Sequence, residues 1–395
     1  MRRGVVRALI VALAGWLTGL LPAAAGPALL FDATTRQVLY AEDVDHPWFP
    51  ASLTKLMTAY LVFEAWKSKK VEPTGTLTIS ARANSRPKMR LGLGAGKSLT
   101  FEEAMNALIL LSANDIAVAL AEAIAGSEAA FVDEMNAKAV RLGMASTRFI
   151  NANGLPGEGQ YSTARDLAVL VQAILLEFPE HAGLFSTTSA LVKKRVLSTH
   201  NPVLIRLAGG DGMKTGFTCS AGYNIVASAT RDGIKLVAIV FGEDTPAKCE
   251  VRTTYLLEHG FRTLEWKALF PVTTLDTLPV ETFDAGEVQA RNLAKRFKDC
   301  QAPEPEVDAD GNPVCPLPKL ATGGKSDRAV QAIKSMKNLK IAKGVKAKPD
   351  PCAPIIADKA KSLPARTVRM IAKRAAVISA DADRARSAAA GFAAP

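Results

Sequence analysis

Three short motifs, in this order along the chain, bring together the groups that acyl chemistry needs: Ser52-Leu53-Thr54-Lys55, Ser112-Ala113-Asn114 and Lys214-Thr215-Gly216. A serine followed three positions on by a lysine pairs a nucleophile with an amine that can serve as its base. The amine works only while neutral, a state that burial or a neighbouring cation favours by lowering its pKa. Taken singly, each motif has an ordinary structural reading. Ser52 then caps a helix beside a solvated lysine, Ser112 or Asn114 caps another, and Lys-Thr-Gly carries almost no signal. All three in one order imply a serine acyl enzyme that uses lysine in place of histidine.

The elements around the motifs must converge for that chemistry to occur. Pro50 marks a start, and Leu56, Ala59, Tyr60, Phe63 and Trp66 recur at helical spacing, which predicts a helix over 52–67. Ser52 then lies at the positive end of the helix dipole, with Lys55 over the same face. Two apolar helices are predicted over 102–111 and 116–125, so Ser112 to Asp115 fall at their junction. Gly209-Gly210-Asp211-Gly212 reads as a turn, followed by strands over 213–217, 223–229 and 234–241. A hairpin over 29–32 and 37–41 is expected in the same antiparallel sheet. The fold class is therefore α/β of the α+β type, an antiparallel sheet flanked by helices with a cleft at the junction.

Longer blocks carry a family likeness. Pro50 to Thr58, Leu111 to Asp115, Phe149 to Leu155, Ser162 to Asp166 and Asp211 to Thr218 resemble the serine D-alanyl-D-alanine carboxypeptidases, the low-molecular-weight penicillin-binding proteins of the bacterial cell wall, over about 27–261. The resemblance implies a DD-peptidase/β-lactamase-like fold. It makes Ser52 the acylated nucleophile and Lys55 its general base, with Ser112 and Lys214 completing the proton relay. Asn114 would hold the substrate peptide and Thr215 its terminal carboxylate. Gly216 would let the strand approach closely, and the backbone N–H groups of Ser52 and Phe217 would form the oxyanion hole. The implied substrates are peptidoglycan stem peptides, with β-lactams as inhibitors and neither metal nor organic cofactor required. An arginine that family members often carry near the carboxylate aligns with Cys249, leaving Lys248 or Arg252 as substitutes. No match to the β-rich C-terminal domain of well-known relatives is evident.

Other readings of the same residues separate on sequence. A D,D-endopeptidase would use the same groups. A class A β-lactamase needs a glutamate in an E-x-x-x-N loop, and none lies between Asn114 and Lys214. A non-catalytic cell-wall binding protein would have no need of the intact motifs. The run Gly92-Leu93-Gly94-Ala95-Gly96-Lys97-Ser98 mimics a phosphate loop, but Leu91 stands where the first glycine belongs and no apolar strand precedes it. It is expected as a surface loop.

With 395 residues and 48% hydrophobic content, the chain can build a large core and carry an appendage. Residues 1–25 read as a signal peptide: Arg2, Arg3 and Arg7, an apolar run, then Ala23-Ala24-Ala25. That implies export to the periplasm or cell envelope, with membrane association possible. The remainder is expected to divide into a catalytic domain over 26–270, a connecting segment over 271–288 and a Lys/Ala/Pro-rich extension over 289–395. The extension holds 21 Lys and Arg against 10 Asp and Glu, while the first 288 residues balance at 28 and 28, so all of the net +11 lies in the extension. It reads either as a flexible basic tail or as an envelope-contacting one, with Val368, Ile371, Ala375 and Ile378 on one helical face. Nucleic-acid binding ranks last, since an exported enzyme meets little nucleic acid and Phe297 and Phe392 are the extension's only aromatics for stacking. The five cysteines show no zinc spacing, and Cys219 and Cys249 are expected either to bridge at the cleft rim or to stay as free buried thiols.

Overall fold

A computed structural model of the chain describes residues 26–87, 89–267, 272–281, 306–307 and 313–314. The expected signal segment, the Val368 stripe, Cys300, Cys315 and Cys352 lie outside the described residues. Strands β1 (Ala28–Asp32) and β2 (Val38–Glu42) form the N-terminal hairpin. After a 3₁₀ turn at Ala51–Thr54 come α1 (Lys55–Lys67), β3 (Thr76–Thr78), the short α2 (Ala81–Asn84), β4 (Ser98–Thr100), α3 (Phe101–Leu110), α4 (Asn114–Ala125), α5 (Glu128–Leu142) and α6 (Ala164–Glu177). A second 3₁₀ stretch (Pro179–Ser186), the hairpin β5 (Ser189–Val192) and β6 (Arg195–Ser198), and α7 (Pro202–Arg206) lead into β7 (Gly210–Thr218), β8 (Gly222–Arg231), β9 (Ile234–Glu243) and α8 (Pro246–Lys267). Two-residue strands Glu306–Val307 and Pro313–Val314 pair antiparallel with each other.

The main sheet has five antiparallel strands in the order β2-β1-β9-β8-β7, so the first hairpin joins the last three strands through β1 and β9 as expected. Both faces are covered, and the side-chain alternation of β9 shows it. Val237, Ile239 and Phe241 enter the large core shared with the helices α1 to α6, while Leu236, Ala238 and Val240 enter a smaller core under α8. Strands buried on both faces are continuous apolar runs, which is why the alternation is hidden in the sequence. Helix α1 is sheathed in the same way: all of its residues except Glu64 and Lys67 are buried, so it runs through the large core instead of lying on its surface.

Two local expectations change. Ser52 lies in the 3₁₀ turn ahead of the helix, since Ala51 takes a left-handed φ of 49° and Leu53 N–H bonds back to Pro50 O. The glycine run before β7 is not a turn throughout: Gly209 turns, at φ +77°, whereas Gly210 and Gly212 already belong to the sheet. A Cβ at Gly210 would sit 2.5 Å from Val203 O, so this glycine makes room for α7.

Residues 272–281 fold back onto the other sheet edge. Val38 N–H bonds to Thr273 O and Leu275 N–H to Arg36 O. The Arg165 guanidinium is nearby, pairing with both oxygens of Asp45 and donating to Leu275, Leu278 and Pro279 carbonyls.

Candidate active site

The serine turn is fixed from behind. Asn224 on β8 donates through Nδ2 to Phe49 O and Pro50 O, at 3.0 and 3.3 Å, and accepts Gly242 N–H at 2.9 Å. One buried amide thus ties two central strands to the residues before Ser52. Lys55 opens α1 with its side chain 1% exposed. Its Nζ is 2.9 Å from Ser52 Oγ, 2.8 Å from Asn114 Oδ1 and 2.5 Å from Asn153 O. Of these partners only the Ser52 hydroxyl can also donate. A neutral Lys55 that keeps its bonds to the amide oxygen and the carbonyl therefore directs its lone pair at the Ser52 O–H, the geometry of a base next to its nucleophile.

Ser112 stands in the break between α3 and α4 with φ +58°, a left-handed conformation that costs a non-glycine residue on the order of 1 kcal/mol or more. Its Oγ is 3.0 Å from Lys214 Nζ, which also donates to Thr215 O at 2.8 Å. Asn114 begins α4, two residues earlier than expected, and so faces Lys55. The next residue, Asp115, is buried. Its carboxylate accepts N–H bonds from Leu91, Gly92 and Ile116 at 2.8 to 3.0 Å, which seats the glycine-rich loop against the Ser112–Asn114 turn.

Among the described residues neither lysine forms an ion pair with a carboxylate. Burial holds Lys55 well below the usual lysine range, the Lys214 charge pushes it the same way, and Asp115 opposes more weakly. Burial alone brings Lys214 down to about 7. The cleft thus contains two amines that burial holds below the usual lysine range, each hydrogen-bonded to a serine hydroxyl.

Strand β7 forms the other wall. At Gly216 a Cβ would lie 3.0 Å from Ser52 N and 3.3 Å from both Leu53 N and Pro50 O, so glycine is what lets the strand backbone come up to the serine amide. Thr215 is half-buried beside it. Phe217 is 40% exposed and stacks on Tyr223 with centroids 4.3 Å apart. Ser52, Lys55 and Asn114 are thereby joined through one set of hydrogen bonds and Ser112 and Lys214 through another, with Thr215, Gly216 and Phe217 following along the adjacent strand.

Sequence reasoning missed two contributors. Asn153 acts through its backbone carbonyl, which no side-chain pattern announces, although its block was visible; Thr58 Oγ1 holds the same loop by donating to Ala152 O at 2.7 Å. Asn224, on a strand, had no motif. Two other expectations are corrected. Cys219 is disulfide-bonded, but not to Cys249, which is a free thiol in the small core, pushed up to about 12 by burial. Arg252 does not replace the aligned arginine: its guanidinium is taken by Gly26 O, Glu42 and Glu243, and Glu42 lies on β2, the strand farthest from β7. Lys248 pairs with Asp244 one turn away.

Fold and cleft together define a class: an antiparallel sheet between helices, with a Ser-x-x-Lys pair at its edge and a second serine–lysine pair facing it. The family profile of D-alanyl-D-alanine carboxypeptidase, Peptidase_S11, matches residues 20–245, and the chain belongs to that family. It is 34% identical over 248 residues to D-alanyl-D-alanine carboxypeptidase DacF of Bacillus subtilis, covering 62% of this chain and 64% of that one. Among solved structures, penicillin binding protein 5 from Haemophilus influenzae superposes with TM-score 0.58 at 35% identity, over 62% of this chain and 73% of the other. Penicillin-Binding Protein D2 from Listeria monocytogenes, in its ampicillin-bound form, gives TM-score 0.56 at 32% identity, over 61% and 98%. The chain thus spans less than two thirds of the length of DacF.

Proposed function

We propose that this protein is a serine-type D-Ala-D-Ala carboxypeptidase that trims the terminal D-alanine from peptidoglycan stem pentapeptides. The observation that carries the reading is the Lys55 amine, buried, in no ion pair among the described residues and 2.9 Å from Ser52 Oγ. Neutral Lys55 takes the Ser52 proton as Oγ attacks the carbonyl between the two D-alanines. The C–N bond then breaks, and the relay through Ser112 and Lys214 returns a proton to the departing amine. The Ser52 and Phe217 N–H groups receive the oxyanion, Asn114 holds the peptide amide and Thr215 the terminal carboxylate. Water, deprotonated by the same lysine, releases the shortened peptide. A penicillin acylates Ser52 along the same path.

The test is release of D-alanine from a purified pentapeptide, comparing the protein with its Ser52→Ala variant. Release by the first and not the second is expected; none from either, with both folded, overturns the assignment. Export rests on the apolar segment after Arg7 and the Ala23-Ala24-Ala25 site, and cell fractionation that left the protein in the cytoplasm would refute it. The basic extension is proposed to contact the envelope, which salt-dependent release from isolated envelopes would support and salt-insensitive solubility would refute.

A further inference from the structure

Cations are unevenly placed around the cleft, although the first 288 residues balance at 28 against 28. Residues 73–101 contain five Lys and Arg and no Asp or Glu; residues 181–210 contain four and none. The fold brings these two stretches together beside the catalytic turn. Met89 O accepts Asn114 N–H at 2.7 Å, and Asp115 holds Leu91 and Gly92. The Arg195 guanidinium donates to Leu91 O, and Lys193 N–H donates to Glu103, binding the β5–β6 hairpin to the same wall.

Arg90, Lys194 and Arg195 are exposed on this rim and Arg86 is half-buried. None of the four is in an ion pair among the described residues, whereas Lys193 is neutralised by Glu103 at 3.0 Å. Two further acids, Asp115 and Glu128, are buried, the first committed to backbone N–H groups and the second to Arg82 and the Ala152 N–H. Surface cations are ordinarily interspersed with acids that quench their field. Four unquenched charges at the mouth of a concave site reinforce one another and attract anions into it.

We infer that Arg86, Arg90, Lys194 and Arg195 form an anion-recognising rim that receives side-chain or α-carboxylates of an acidic peptide whose C-terminal end enters the cleft. The inference rests on the peptidase reading and adds to it the kind of peptide preferred. Recognition is by exposed charges, so it is screened by salt and acts on binding rather than on the chemical step.

The probes are a synthetic pentapeptide ending in D-Ala-D-Ala with two upstream carboxylates, and the same peptide with those carboxylates amidated. Binding is measured by calorimetry on Ser52→Ala protein, so that turnover plays no part. The acidic peptide should bind about tenfold more tightly at low salt, and adding Arg90→Gln with Lys194→Gln should remove most of that difference. The remote exposed pair Lys69→Gln with Lys70→Gln, which removes the same charge, should leave it. Equal binding of the two peptides, or equal losses from the rim and remote pairs, overturns the rim. If the acidic peptide is preferred but the Ser52 protein releases no D-alanine from it, the carboxypeptidase reading fails while the rim stands.

Discussion

Two regions of the molecule enclose cations and treat them in opposite ways. At the sheet edge away from the cleft, Arg165 is 12% exposed and Asp45 7%, and the guanidinium has both carboxylate oxygens and three carbonyls to receive its donors. In the cleft, Lys55 at 1% and Lys214 at 3% exposed are buried more deeply still, yet their partners are hydroxyls and neutral oxygens. A fully compensated guanidinium keeps its charge and holds structure together, here pinning 272–281. An amine buried without a counterion is driven toward its neutral form and becomes a base. The presence or absence of an anion decides which of the two a buried cation becomes.

The largest expected effect breaks the cleft half of this contrast. Lys55→Ala should lower the rate of Ser52 acylation by a fluorescent penicillin by about 10³-fold, the range of a lost general base, with the circular dichroism spectrum unchanged. Arg165→Met should do the reverse. It strands Asp45 as a buried, unpaired carboxylate, which costs about 3–5 kcal/mol in urea unfolding, while the surviving folded enzyme acylates normally at 25 °C. Adding Asp45→Leu should restore part of that loss, since both charges are then gone. If Arg165→Met instead abolishes acylation in folded protein, the two regions are not separable.

The two regions were also unequally legible in sequence. The cleft side chains were found because acyl chemistry requires particular residue types at short spacing, and Ser52, Lys55, Ser112, Asn114 and Lys214 do converge. The strands were legible from apolar runs and the Asp232-Gly233 turn. The Asn153 carbonyl was not, because any residue has one, and neither was the Arg165 knot, whose partners lie 110 to 120 positions away in sequence. The Cys219–Cys249 pairing failed for a related reason: closeness in sequence to one cleft did not reveal that α8 turns Cys249 into the small core.

The contrast sharpens with pH. Acylation should rise with pH as Lys55 loses its proton and level off once that amine is neutral, while Lys214 loses its own at about 7. Below the limb the slope should approach tenfold per pH unit. Lys214→Met removes the positive charge that depresses Lys55, so the limb should move to higher pH. A limb that stays in place would show that burial alone sets the Lys55 proton affinity.

The smallest effect belongs to the other region. Asp166, beside the Arg165–Asp45 pair, is raised to about 6 by burial and by the Asp45 charge, while bonds from Thr147 and Ser146 pull it down. A carboxyl raised on folding binds its proton more tightly in the folded protein than in the unfolded chain. Between about pH 4 and 6 the folded state therefore holds a proton that the unfolded state has released, and its contribution to stability falls as pH rises through that window. The slope is at most about 1.4 kcal/mol per pH unit and flattens above pH 6. In Asp166→Asn this component should vanish, so the wild-type advantage over the variant in urea unfolding should shrink from pH 4 to pH 6 and then stay level. An advantage that grows over that interval would mean that Asp166 is stabilised as a carboxylate by its two donors, which outweigh its burial.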